Sequence, residues 1–344
     1  MLRRAPRGLL VRGREQPNWA SSPRRVPVPA SGRRDSNPRP PGPKPGALTK
    51  LRYFPYPYLH TSIRRRCGVG KYCVVAYDWI TEALAQTWSS IEHTIAHRSD
   101  RDLDALTTCP GWNVRDVVNH ITGTELSLDG EPTPVFTGKL PPHVKNSLGE
   151  SNEAFVASRR HLTPDEVRED FGDATGATLT RLRSLDEARW EVNWWSPDGP
   201  RRLVELEETR VFDSWIHLQD IRDALLEPAD DHGQGEEIVV NRFEAALPYV
   251  LAKRAGAPEG TLVRINLIGR LGRSIQVQVR DGRGVAAGTT RERPQLELTT
   301  AVALFWRRAA GRINAQAFLN ASATDVRGDR QLAQRLAQGL NVTP

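Results

Sequence analysis

Residues 210–225 read RVFDSWIHLQDIRDAL, and the order of polar and apolar side chains in this stretch decides the fold. From Leu203 to Leu226 apolar residues recur at three- and four-residue steps, the pattern of one long amphipathic helix that stops before Pro228. Asp213 and His217 are four residues apart, so a helix stacks them on one face, where the pair can chelate a divalent ion. An acid four residues before a histidine is also a common solvated pair, and the spacing alone leaves both readings open.

Upstream, residues 109–123 read CPGWNVRDVVNHITG. Asn113 is a cap for a second helix from Val114 to about Leu128, with Val117, Val118 and Ile121 on its apolar side. His120 sits within that apolar run, and a buried histidine needs a partner. Either it is a satisfied core histidine, or it joins Asp213 and His217 in a site built from inward-facing residues on facing helices. Periodicity predicts a further helix over Tyr77–His97 and a helical section over Glu150–Arg160 and Pro164–Leu185, with a polar connection at Pro132–Pro142. Helices of this length with such connections predict an antiparallel, up-down four-helix bundle over residues 76–230. After Asp230-Asp231-His232-Gly233 the pattern changes. A helix over Glu236–Arg254 precedes strands at Thr261–Ile268, Ser274–Val279, Gln295–Thr299 and Ala323–Arg327, with helices at Ala301–Ala310 and Asp329–Gln338. These make a small α+β domain over residues 236–341.

The charge is unevenly distributed. Residues 1–75 hold 17 of the 48 Lys and Arg, 2 of the 41 Asp and Glu and 12 of the 25 prolines, which leaves 31 basic against 39 acidic residues in 76–344, a net charge of −8. The high isoelectric point therefore describes the leader, and the acidic remainder shows no basic stripe for nucleic acid or an anionic membrane surface. No run of 18 apolar residues occurs, against a membrane-spanning helix. Cys109 is the single cysteine beyond residue 75, so no disulfide framework is expected there, and a reducing cytoplasm fits. The leader is too rich in Pro, Gly and Arg to bury a core and reads as disordered. Its prolines spoil the amphipathic helix of a transit peptide. The segment also resembles the conceptual translation of a transfer RNA gene, and Met1 is the only methionine, so a start at a non-methionine codon near Val74 or Val75 is a further expectation.

The two quoted motifs, 109–123 and 210–225, together resemble the mycothiol-dependent maleylpyruvate isomerase family, a branch of the DinB-like metal-binding bundles. The segment after residue 236 is similar to the sterol-carrier-protein-like domain that often follows. The resemblance implies a divalent-metal site, usually zinc, held by His120, Asp213 and His217, with Asp213 standing where the best-known isomerases have Glu. It implies mycothiol as cofactor, a small electrophilic molecule as substrate, isomerisation or thiol transfer as reaction, and an actinobacterial-type cytoplasm. Three protein ligands would leave one coordination position open, the arrangement of a catalytic zinc site. No catalytic residue beyond the metal site is expected.

Around this set, Asp220 lies three residues after His217 and is a second-layer partner for its ring or a plain surface acid. Trp112 and Trp215 flank the ligands as pocket walls or core. Arg115 and Arg222 are carboxylate grips or solvent-facing chains, and Cys109 reads as a turn residue more readily than as a nucleophile. The alternative reading of the whole chain is a lipid- or thioester-binding protein with a vestigial metal site.

Overall fold

The computed structural model describes residues 77–344 except 197, 198, 231, 289, 290 and 344, together with the backbone of two short strands, β1 (Arg64–Cys67) and β2 (Lys71–Val74), which pair antiparallel. The expectation of a disordered leader over residues 1–75 otherwise falls outside the described residues.

The helical part begins with α1 (Asp78–Ile95), followed by the single turn α2 (Asp100–Leu103) and α3 (Val114–Leu128). Asn113 caps α3, its side chain accepting from the Asp116 amide. Next come α4 (Ser147–Arg159) and α5 (Pro164–Arg183), the latter opened by a Thr163–Glu166 capping box with proline in the first turn. A short α6 (Glu187–Trp190) and the two-residue strands β3 (Asn193–Trp194) and β4 (Arg201–Arg202) lead into α7 (Leu203–Ala224).

Helices α1, α7, α3 and α5 form a closed ring, each packing on the next, while α4 lies against the outside of α3. The apolar stripe of α1, including Ile80, Leu84, Trp88, Ile91 and Ile95, is buried in this core with Val117, Val118 and Ile121 of α3 and Phe171 of α5. Trp88 Nε1 donates to Ser214 Oγ at 3.0 Å, so the α1–α7 contact satisfies both polar groups. The close approach of α4 to α3 depends on Gly123, where a Cβ would stand 2.4 Å from the Phe155 Cβ.

The chain then enters α8 (Gln234–Tyr249), which contains Pro248 and closes in a π-turn at Val250–Arg254. A five-stranded sheet follows, ordered β7-β6-β5-β8-β9: β5 (Leu262–Ile268), β6 (Arg273–Arg280), β7 (Arg283–Ala286), β8 (Leu296–Ala301) and β9 (Thr324–Gly328). The central pair β5–β8 is parallel, with Ile265 opposite Leu298, and the other pairs are antiparallel. Alternation in β8 turns Leu296, Leu298 and Thr300 inward. Helices α8, α9 (Val302–Ala309) and α11 (Arg330–Gly339) pack on the sheet, with α10 (Ala315–Asn320) between the last two.

The protein is thus a helical region followed by a mixed-sheet domain. The two cores meet at shared helices: α7 sends Val211, Leu218 and Ile221 into the bundle core and Trp215 and Ile216 into the sheet core, and α8 divides Ile238 from Val239, Val240 and Phe243 in the same way. Among the described residues no helix is long and apolar enough to cross a membrane.

Candidate metal centre

On α7, residues 210, 213, 217 and 220 share one face through steps of three and four. That face looks onto α3, where His120 is 6% exposed. The geometry brings the three sequence-predicted ligands together: His120 Nε2 is 3.4 Å from Asp213 Oδ2, and His217 Nε2 is 3.5 Å from Asp213 Oδ1. The two imidazole rings meet edge to face at 5.1 Å, and the donor atoms of the triad lie within 4.8 Å of one another. A tetrahedral zinc ion with bonds of about 2.0–2.1 Å holds its ligand atoms about 3.3 Å apart, close to the separations found. The side chains of His120 and His217 are 7% and 10% exposed and that of Asp213 is 29% exposed, so an external group would approach on the Asp213 side.

Asp220 is 1% exposed and not a surface acid. Its Oδ2 lies 3.0 Å from His217 Nδ1, which turns Nε2 of the same ring toward Asp213 and His120. Three further groups hold Asp220: Arg312 donates from Nε to Oδ1 and from Nη2 to Oδ2, both at 2.7 Å; Thr108 Oγ1 donates to Oδ1 at 2.9 Å; and Cys109 Sγ donates to Oδ2 at 3.2 Å. Arg312 follows α9 and belongs to the sheet-containing half of the chain. The group Cys109, His217 and Asp220 also has the proximity a metal needs, but the Arg312 guanidinium already supplies a cation there. A divalent ion suits the other group, His120, Asp213 and His217, whose donors are two imidazole nitrogens and one carboxylate.

The titration behaviour follows from the same contacts. Burial lowers the His120 pKa and outweighs the opposing pull of Asp213, keeping this ring neutral and able to act as a ligand. Burial also acts to lower His217, but the Asp213 carboxylate, with hydrogen bonds to Asp220 and Cys109, pushes it up to about 10. Burial acts to raise Asp213, yet His217, Arg210 and His120 together hold it well below the ordinary carboxylate range. For Asp220 burial is likewise overcome, by His217 and Arg312, and the net shift is downward.

Trp112 packs its ring on His120 at 5.0 Å and against the bundle core, while Nε1 donates to Glu153 Oε2 at 3.0 Å. Trp215 points away into the sheet core, edge to face with Trp306 at 5.1 Å. Arg115 and Arg222 do not grip a substrate, since Arg115 donates to the Leu162 carbonyl and pairs with Asp100, and Arg222 donates to the Pro228 carbonyl and Thr94 Oγ1. Cys109 is a turn residue as expected, but the fold carries its sulfur to 3.8 Å from His217 Nδ1. Sequence spacing does not reveal Arg312 or Cys109, because the fold alone joins residues 92 and 108 positions apart.

Comparison with known proteins agrees with this division of the chain. Residues 84–222 match the mycothiol maleylpyruvate isomerase N-terminal domain, and residues 241–341 match the SCP-2 sterol transfer family. Among solved structures, the mycothiol-dependent maleylpyruvate isomerase is similar at 16% identity and a TM-score of 0.46, over 72% of this chain and 92% of the other. A histidine-to-alanine variant of that enzyme is similar at 16% identity and a TM-score of 0.45, over 69% and 89%. No curated protein matches the chain. The helical part thus carries the match to the mycothiol maleylpyruvate isomerase N-terminal domain and the sheet part the match to the SCP-2 sterol transfer family, each over less than half of the chain.

Proposed function

We propose that this protein is a divalent-metal-dependent, mycothiol-dependent isomerase or thiol transferase acting on a small electrophilic substrate. One observation carries the reading: His120, Asp213 and His217 converge on one point at ligand spacing, with the far nitrogen of His217 already held by Asp220. His120 and His217 would offer Nε2 and Asp213 one carboxylate oxygen, and zinc is the ion that best suits this donor set. When bound, such an ion lowers the pKa of a thiol that reaches it and so makes thiolate available near neutral pH.

The remaining work falls to the chain. Asp220 keeps the proton of neutral His217 on Nδ1 and leaves Nε2 unprotonated, while Arg312 and Thr108 stop Asp220 from turning away. Trp112 covers His120 and excludes water from that side. The less enclosed Asp213 side is the entrance for thiol and substrate. In an isomerisation the thiolate sulfur forms a bond to an electrophilic alkene carbon as the π bond opens to an enolate. Rotation about the resulting single bond and expulsion of the sulfur then restore the alkene and the free thiolate.

Lipid carriage by the sheet domain is the weaker reading, because the space between sheet and helices is filled by Phe243, Phe305, Trp306, Phe318 and Leu336. Elemental analysis of the purified protein and of His217→Ala tests the proposal. About one divalent ion per chain, lost in the variant, together with mycothiol-dependent turnover of an electrophile, is expected. Absence of metal from the wild type, even after reconstitution, would overturn it.

A further inference from the structure

Behind the ligand triad lies a set of buried charges that the proposed chemistry does not use. Arg210, one helical turn before Asp213, is 4% exposed. Its Nη1 donates to Asp213 Oδ2 at 2.8 Å and its Nε to Glu125 Oε1 at 2.7 Å. Glu125, on α3, is 1% exposed and is held in turn by Thr178 of α5, whose Oγ1 donates to Oε2 at 3.0 Å. Three of the four ring helices therefore converge on one guanidinium whose free end grips a proposed metal ligand.

Stability does not explain this arrangement. Burying an arginine and a glutamate removes both from water, and apolar replacements of similar shape often serve a core as well or better. The pair is also incompletely satisfied, since Arg210 Nη2 has no hydrogen-bond partner among the described residues. Two carboxylates of fixed direction, one on its own helix and one on α3, do suit a planar guanidinium fork, which a lysine ammonium cannot reproduce. The grip falls on Oδ2 of Asp213, which also stands 3.4 Å from His120 Nε2, while Oδ1 faces His217 Nε2 at 3.5 Å, so one guanidinium sets the direction of the carboxylate toward both imidazoles.

We propose that Arg210, locked by Glu125 and Thr178, is the positioning residue of the metal centre: by donating to Oδ2 it fixes how the Asp213 carboxylate is turned toward the two imidazoles and disfavours a turn that would engage an ion through both oxygens. The inference rests on the metal reading of the triad. Its chemical consequence is the open coordination position, because a carboxylate free to turn can engage a divalent ion through both oxygens and take up the place an incoming thiol needs. Arg210 contacts neither substrate nor thiol in this role and acts only through Asp213.

The test uses the full chain with cobalt(II) as a spectroscopic probe and zinc in a chelator competition. Wild type is compared with Arg210→Met, Arg210→Lys and Glu125→Gln, and the thermal midpoint of each metal-free protein is recorded beside its affinity. Arg210→Met is expected to weaken metal binding about 10- to 100-fold and to reduce the visible cobalt absorption as the coordination number rises. Glu125→Gln is expected to shift both readouts the same way by less, and Arg210→Lys to recover part of the affinity without the wild-type spectrum. A purely structural role would move the midpoint and leave the spectrum unchanged. Wild-type affinity and spectrum in Arg210→Met overturn the proposal, and if that variant does not fold, the same result in Glu125→Gln does so. A wild type that takes up no cobalt overturns the metal reading itself, an outcome distinct from metal binding that ignores Arg210.

Discussion

At the level of single residues, His217 and Asp213 contribute to the pH response of the metal-free protein with opposite signs. The folded pKa of His217, about 10, lies above the ordinary 6.5, so the stabilisation from its charged form is complete below about pH 6.5 and is lost as pH rises through about 10. Asp213 has the opposite sign: its folded value lies well below the ordinary 3.8, so its contribution is present above that pH and is lost as the carboxylate protonates in acid. A metal ion must displace the His217 proton, so binding at pH 7 is expected to release a proton and to tighten as pH increases. Calorimetric titration in two buffers of different ionisation enthalpy checks this, and equal apparent enthalpies would contradict it. The length of Asp213 is a second matter. With 3.4 and 3.5 Å separations already at ligand spacing, the shorter acid fits. Asp213→Glu is therefore expected to crowd Arg210 and weaken metal binding about tenfold, read by chelator competition. His120, Asp213 and His217 were legible in the sequence as candidates through helical spacing and an apolar setting, and the family resemblance joined them into one ligand set. The buried state of Asp220 was not legible, since its partners come from distant segments.

Among the elements, α3 and α7 match the ranges that periodicity predicts to within about two residues: Asn113 caps α3, whereas α7 has no side-chain cap and ends a few residues before Pro228. Asn113→Ala is expected to cost about 1 kcal/mol through loss of the bond to the Asp116 amide, measurable by urea denaturation. The α3–α4 contact is less forgiving. Gly123→Ala puts a methyl into the Phe155 side chain, and a loss of about 1–3 kcal/mol is expected in the same measurement. Several short elements, the single turns α2 and α6 and the strands β3 and β4 as well as β7 and α10, escaped the sequence reading for a common reason. Strand β7 has four residues, RGVA, and helix α10 has six, AQAFLN, each too short to display a period. The helix expected to run unbroken from Glu236 to Arg254 instead changes to a π-turn just after Pro248, where the missing amide hydrogen interrupts the regular ladder.

For the whole molecule, the decisive contact is the one between Arg312 and Asp220, which ties the sheet-containing half to the helix that carries two proposed ligands. Arg312→Met leaves a carboxylate that is 1% exposed without its cation. A loss of about 3–5 kcal/mol is expected, together with weaker metal binding because His217 loses its orientation. Denaturant unfolding followed in parallel with metal affinity checks both, and a variant unchanged in affinity would confine Arg312 to a structural role. The order in which a ribosome delivers these parts follows from the same contact. His120, Asp213 and His217 all emerge in the first two-thirds of the chain, yet the guanidinium that grips both oxygens of Asp220 arrives only when α9 has been made. A nascent or truncated chain that ends before it would hold every candidate ligand, with Asp220 kept on His217 by Thr108 and Cys109 alone.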